Sequence, residues 1–409
     1  MTGKDENIDG RRWLILFLVW LLYASLGMGF ASLAPLVQPI QEDLDISYSK
    51  MGLVLGFWQL VTIFTFYPLG KLVDRYSQNQ RLLLSVAAIA AGASVALRGL
   101  TVDFTTLLIA VGLFGLAGPI ISLGAPKVTA NWFVGRERNF ATGVYMSGPT
   151  AGVMIGMSLS TTVILPIVDN WRGVLFICGA AIMLMGVIWY ILARDKPLQS
   201  SQLDSSDGAI HSSLAYLLKI RNVRIVLALS IAGFLVMHGL INWAPTILQR
   251  HAELSLANAG FWSGMAVGAG IVGSIIVPAI AFIGIRRIII AFTLILTSIG
   301  LIGLSISNNN LPVLSLILVH FISAPIWPIL TLILIETKGI GTRRIGTAMG
   351  LAFATAEIGG FGGPLLLGIV QEVFGSIVPG LIGLSVVLLL LIFPTIFIKE
   401  SKINKTESV

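Results

Sequence analysis

Apolar residues in this chain fall into twelve long blocks, each closed by a short charged or turn-rich stretch. Blocks of roughly 20 or more apolar residues match the thickness of a hydrocarbon core, so the pattern predicts membrane-spanning helices. It places them at 13–40, 50–73, 81–99, 105–132, 138–165, 172–192, 222–248, 257–283, 286–306, 311–336, 344–371 and 376–398. The first block follows Arg11 and Arg12, is too long for a signal-peptide core, and leads to no small-residue cleavage site, so it is expected to stay as a helix. The fold class expected is therefore all-α integral membrane.

Composition narrows the function classes. The 409 residues are 56% hydrophobic and 11% charged, with mean hydropathy +0.92, far from the balance of soluble domains. Twelve spans leave only short connectors, so a large soluble catalytic domain is excluded. Cys178 is the single cysteine and lies in an apolar run. No intrachain disulfide, thiolate metal cage or iron–sulfur cluster can be built, and no cofactor is called for.

A net charge of +7 raises the question of nucleic acid, but the basic residues are scattered between apolar blocks and read as topology signals. Sorted by connector, 21 of the 26 Lys and Arg residues fall on the side of the two termini. Only Lys50, Arg98, Arg172 and Arg250 fall on the other, and Lys127 lies inside a span. By the positive-inside rule both termini face the cytoplasm, which makes this a multi-pass protein of the cytoplasmic membrane.

The longest connector, 194–221, holds a polar stretch from Gln199 to Gly208 and then an apolar cluster at Leu214–Leu218. It reads as a flexible linker ending in a short amphipathic helix, dividing the chain into bundles at 1–193 and 222–409. The halves echo each other. The run Gly135–Gly143 before helix five corresponds to Gly341–Gly350 before helix eleven, and both helices carry a Gly-Pro pair, Gly148-Pro149 and Gly363-Pro364. Two similar six-helix bundles are what alternating access to a shared site requires.

Between helices two and three stands Gly70-Lys71-Leu72-Val73-Asp74-Arg75-Tyr76, with Arg81 beyond it. This resembles the loop signature of the major facilitator superfamily of transporters. The resemblance implies that Gly70 permits close packing and that Asp74 latches the cytoplasmic side through a basic partner, with Arg75 and Arg81 as candidates. Ser77 departs from the family pattern, and the equivalent turn in the second half keeps Arg286 and Arg287 but has no acid. Helix five, with Gly143, Gly148, Pro149, Gly152 and Gly156, resembles the family's glycine–proline hinge helix, and its small residues are expected to pack across the interface of the halves. Within the superfamily, Gly124-Ala125-Pro126-Lys127 through Trp132-Phe133 to Arg138 is most similar to small-anion and organic-anion carriers, including the cyanate and nitroimidazole group. Helices two and eight lack the arginine of nitrate porters.

Ionisable residues inside spans are functional candidates because hydrocarbon penalises charge. Glu357 is the one acid at mid-span and is a candidate for coupling transport to protons; a carboxyl merely bonded between helices is the other reading. Lys127 either snorkels to the interface or faces a cavity and attracts an anion. Arg98, at the outer end of helix three, either lines an entrance or anchors at the interface, the second being favoured. His238, Asn242 and Trp243 in helix seven, and His320 and Trp327 in helix ten, are expected to face a central cavity, with Tyr23, Trp58 and Gln59 completing it from the first half. The alternative for the aromatic residues is plain helix packing. Glu336 at the end of helix ten, opposite the Arg136 and Arg138 loop, is either half of a gate salt bridge or a helix-end charge pair.

These readings point to a secondary active transporter for a small, anionic solute, working by alternating access as a monomer in a lipid bilayer, with protons as the driving ion. A multisubstrate drug exporter is the alternative, and a non-transporting receptor a more distant one. An enzyme is disfavoured, since only four histidines exist and two lie in connectors on opposite sides. A nucleotide-driven pump is disfavoured by the lack of a Gly-rich phosphate loop.

Overall fold

The structure, a computed structural model, describes residues 3–196, 210–281, 284–307 and 310–400. The polar stretch 199–208, Lys402 and Lys405 lie outside the described residues, as do the side chains of Lys4, His211 and Arg343. The described residues form helices joined by short turns. Twelve helices are long and apolar enough to cross a membrane: α1 (Gly10–Leu44), α2 (Tyr48–Arg75), α3 (Gln80–Arg98), α4 (Phe104–Trp132), α5 (Gly135–Val168), α6 (Trp171–Leu192), α7 (Arg221–His251), α8 (Leu256–Ile280), α9 (Arg286–Leu304), α10 (Leu311–Glu336), α11 (Arg344–Phe374) and α12 (Val378–Thr395). Each predicted block is one of these helices, with boundaries shifted by a few residues. The amphipathic segment is a helix too, Ile210–Lys219, and buries Leu217.

Local chemistry explains several ends and breaks. Asp103 caps α4 by accepting the Thr106 N–H at 2.8 Å, and Thr106 Oγ1 accepts the Asp103 N–H in return. These bonds, the Thr106 N–H foremost, hold the Asp103 carboxyl below its ordinary range, so the cap contributes fully above that range and is lost only as pH falls below it, through the lowered value. At the other end of α4, Arg138 donates to the carbonyls of Ala130 and Phe133, each at 2.9 Å, closing the orphan acceptors of the last turn. α1 unwinds after Ala31 into a 3₁₀ turn, Ala34–Leu36, at Pro35, which has no N–H to continue the ladder. α5 breaks at Ser147 immediately before Gly148-Pro149, and its segment Ser160–Ile164 is π-helical.

The described chain forms two compact units, residues 1–204 with 255–264 and residues 205–254 with 265–409. In the first, α5 lies directly on α1. A Cβ placed on Gly152 would stand 1.8 Å from the Ala24 carbonyl oxygen, and one on Gly148 would stand 2.8 Å from that of Trp20. The expectation that these small residues serve an interface between halves is thus corrected: their backbone-to-backbone contact is with α1 of the same unit. The other face of α5 meets the start of α8, where Gly260 and Gly264 fit against Thr161 and Ser158. In the second unit α11 lies on α7 in the same manner, a Cβ on Gly359 falling 2.0 Å from the Ile231 carbonyl oxygen. The two units therefore repeat one packing device. Outward faces are apolar: α6 exposes Phe176, Ile177, Leu184 and Ile191, and α9 exposes Ile288, Phe292, Ile299 and Ile302. Such faces are stable only against lipid.

Candidate functional site

In the first unit the loop signature resolves into specific pairs. Asp74 forms an ion pair with Lys127 of α4, not with Arg75 or Arg81. Arg75 is exposed. Arg81 donates from Nε to the Tyr190 carbonyl at 2.5 Å, donates its backbone N–H to Asp195 at 2.8 Å, and lies over the Tyr190 ring. It ties α3 to the end of α6. The cause is reach: Lys127 of α4 meets the end of α2, whereas Arg81, at the start of α3, meets the end of α6. Lys127 is thereby corrected from a cavity cation to a partner of the loop acid. Both groups keep solvent contact, with side-chain exposures of 35% and 70%, so screening limits the pair to about 1 kcal/mol or less. Lys127→Met and Asp74→Asn are each expected to lower stability slightly, and the double variant no further than the worse single one, which a double-mutant cycle of melting temperatures checks. A Cβ on Gly70 would meet nothing within 4 Å, so the close packing implied for it is not made.

Tyr23 donates to the Ser122 carbonyl at 2.8 Å and sits edge-on to Tyr145 at 5.3 Å, buried. It joins α1, α4 and α5, which is the packing alternative and not a cavity wall. Trp58 is half-buried, stacked on Phe30 at 5.4 Å and edge-on to Phe114 at 5.9 Å, with Gln59 fully buried beside it in sequence. On the far end of this unit, Asp43 accepts from the Trp171 indole and from Arg172, whose other arm reaches the Thr101 carbonyl at 3.0 Å. This tie among α1, α6 and the α3–α4 turn was not anticipated. The sequence held Arg172 only as an outer charge.

In the second unit Trp243 is wholly buried and donates to the Pro364 carbonyl at 2.9 Å. The bond ties the indole of α7 to the backbone of α11, so Trp243 is corrected to a packing residue. Asn242 donates to the His238 carbonyl at 2.8 Å, one turn back, and its Oδ1 is buried without a hydrogen-bond partner among the described residues. His320 is buried with Nδ1 3.0 Å from the Leu316 carbonyl oxygen and Nε2 unpartnered among the described residues.

What the structure does gather is an aromatic cluster. Phe234, four residues before His238 on α7, stands 5.4 Å from that imidazole, 5.3 Å from the Trp327 ring of α10 and 6.3 Å from Phe353 of α11. A small recess beside it is lined by Ser230, Gly233, Met237 and Ser323 together with Phe234 and Trp327. Half-buried rings with nearby hydroxyls can stack on a solute and hydrogen-bond its edge. Sequence reasoning missed Phe234 and Phe353, although both lie at i±4 from a flagged polar residue, His238 and Glu357, and so on the same helix face.

Glu357 is buried on α11, and its Oε2 has no hydrogen-bond partner among the described residues. It belongs to no ion pair there. Glu336 pairs with Arg286 of α9, within its own unit, and Arg138 is spent on the α4 carbonyls. Among the described residues no group of three His, Cys, Asp or Glu side chains could hold a metal ion.

The sequence profile of the Major Facilitator Superfamily matches residues 19–364, and the twelve-helix fold agrees with it. The chain belongs to the major facilitator superfamily and is a multi-pass membrane transporter. It is 24% identical over 366 residues to the hexuronate transporter of Bacillus subtilis (strain 168), covering 82% of each chain. It is 22% identical over 417 residues to the D-galactonate transporter of Escherichia coli O6:H1, covering 93% of this chain and 94% of the other. A quinolone resistance transporter of Acinetobacter baumannii is 23% identical over 97% of this chain and 94% of its own. Among solved structures, a bacterial homologue of the human lysosomal transporter Spinster superposes with a TM-score of 0.73 at 15% identity over 95% of each chain, a likeness of fold.

Proposed function

We propose that this protein is a secondary transporter of a small organic acid, of the sugar-acid class, that works by alternating access as a monomer and is driven by protons. The observation that carries the reading is likeness over most of the chain to hexuronate and D-galactonate transporters. Of the anion classes the sequence resembles, this favours hydroxylated carboxylates over cyanate or nitroimidazoles. The aromatic cluster of Phe234, Trp327 and Phe353, with Ser323 at its edge, supplies a stacking surface and a hydroxyl for such a solute. His238, His320, Asn242, Trp58 and Gln59 are further solute contacts, and Glu357 is the residue that takes and releases the coupled proton. Gly148, Pro149 and Gly152 form the hinge, and Asp74 with Lys127 the latch. The 21-to-4 distribution of cations supports cytoplasmic termini in the cytoplasmic membrane.

Proteoliposomes test this directly. Labelled hexuronate and D-galactonate are expected to accumulate under an inward proton gradient, while neutral hexoses do not. A specific observation favours the exporter as second reading, the likeness to a quinolone resistance transporter. Gradient-driven movement of quinolones without any movement of acids would establish that reading in place of the first.

A further inference from the structure

The reading above leaves one buried cation unused. Arg98, the last residue of α3, is 1% exposed, so the interface anchor expected of it is not what the fold makes. Its Nη1 donates to the Gly29 carbonyl at 2.8 Å and to the Ser32 hydroxyl at 3.0 Å, where α1 unwinds. Its guanidinium lies 5.2 Å from the centre of the Phe114 ring. None of the ion pairs among the described residues includes it. Nε and Nη2 are both buried and have no hydrogen-bond partner among the described residues.

Those two nitrogens are not an arbitrary pair. The N–H bonds of Nε and Nη2 run parallel along one edge of the planar guanidinium, the edge that receives both oxygens of a carboxylate. A charged group in a low-dielectric interior is retained only where something compensates it, and Phe114 with two neutral acceptors on the opposite arm compensates only in part. We propose that the Nε/Nη2 edge of Arg98 is a carboxylate site inside the first unit, the third nitrogen serving to fix the guanidinium against α1. The carboxylate can come from a free small acid or from the carboxyl group of the transported solute; in the second case the site is where the first unit recognises the substrate, and the inference then rests on the function proposed above. Because the same side chain holds Gly29 and Ser32, occupancy of its free edge also acts on the break in α1.

Cys178 offers a reporter. It is the only cysteine in the chain, is buried, and lies close enough to Arg98 to interact electrostatically. The full-length protein in detergent is treated with N-ethylmaleimide in equal concentrations of chloride, acetate or D-glucuronate, and Cys178 modification and melting temperature are followed. Acetate is expected to slow modification several-fold relative to chloride and to raise the melting temperature. Arg98→Met is expected to abolish both effects, weakening acetate by about 10- to 100-fold as charge-assisted bonds imply. Protection by D-glucuronate at lower concentration than acetate assigns the carboxylate to the transported acid; protection by acetate alone assigns it to a free small acid. No effect of either acid on the wild type, which needs no variant to fold, overturns the proposal, as does unchanged protection in Arg98→Met. Uptake separates the two readings: D-glucuronate uptake by Arg98→Met with wild-type KM discards the site as the place of substrate recognition and leaves the free-acid reading and the transport function standing. Protection by acetate in a protein that carries no sugar acid discards the function and leaves the site.

Discussion

Gly152→Ala is expected to leave little or no folded protein, the largest structural effect of any single methyl in the first unit. The added Cβ would lie 1.8 Å from the Ala24 carbonyl oxygen and 2.6 Å from its carbon. Both are backbone atoms of α1, so no side-chain rotation relieves the overlap and the two helices must separate. Overpacking of ordinary cores costs about 1–3 kcal/mol; with two helix backbones wedged apart, about 3 kcal/mol or more is expected, which falls in the range where single changes unfold a protein. Gly143→Ala supplies the control, since a Cβ there meets nothing within 4 Å. Replacing a helical glycine where space is free should stabilise by about 0.5–1 kcal/mol. Melting curves of the three proteins in one detergent check the ordering. In the second unit Gly359→Ala, 2.0 Å from the Ile231 carbonyl oxygen, should repeat the loss, and Gly350→Ala, in open space, the gain. Equal melting temperatures for Gly152→Ala and wild type would mean that α1 and α5 do not touch as described.

Glu357→Gln is expected to abolish accumulation of solute against a gradient while exchange of labelled for unlabelled solute persists. The side chain is buried on α11 and takes part in no ion pair among the described residues. A lone carboxyl inside a span has no local use for its charge, so its chemistry is that of gaining and losing a proton. Glutamine keeps the size and hydrogen-bonding edge of the protonated acid and cannot release the proton. Counterflow, which needs only the two access states and a loaded site, should therefore survive with at most a modest change in rate. Gradient-driven uptake should fall to the level seen without a gradient. Uptake by Glu357→Gln that still follows the proton gradient would remove Glu357 from coupling and leave His238 and His320 as the buried titratable groups of α7 and α10.

The residues that proved legible in the sequence are those whose role follows from solvent alone. Hydrocarbon demands unbroken apolar helices, so the twelve spans and their ends could be read from hydropathy to within a few residues. The Gly-Pro pairs of helices five and eleven stood out for the same reason, being irregularities that a lipid-facing helix would not keep. The burial of Glu357 was legible too, since a mid-span acid cannot face lipid as a charge.

Partners were not legible, because they depend on which faces of separate helices meet. Lys127 looked like a cavity cation until α4 was seen beside the end of α2, where Asp74 takes it. Trp243 looked like a cavity wall until Pro364 was found against its indole, and Tyr23 until its hydroxyl met Ser122. Arg98 is the sharpest case: at the end of an apolar block it reads as an anchor, and only the folded unit turns it inward onto Gly29 and Ser32. The sequence by itself determined the solvent, the number of helices and the family. Tertiary structure decided which polar side chains are matched to one another and which are left over, because hydropathy acts on each segment independently while hydrogen bonds and ion pairs, effective over only a few ångströms, require the helices to be already in place.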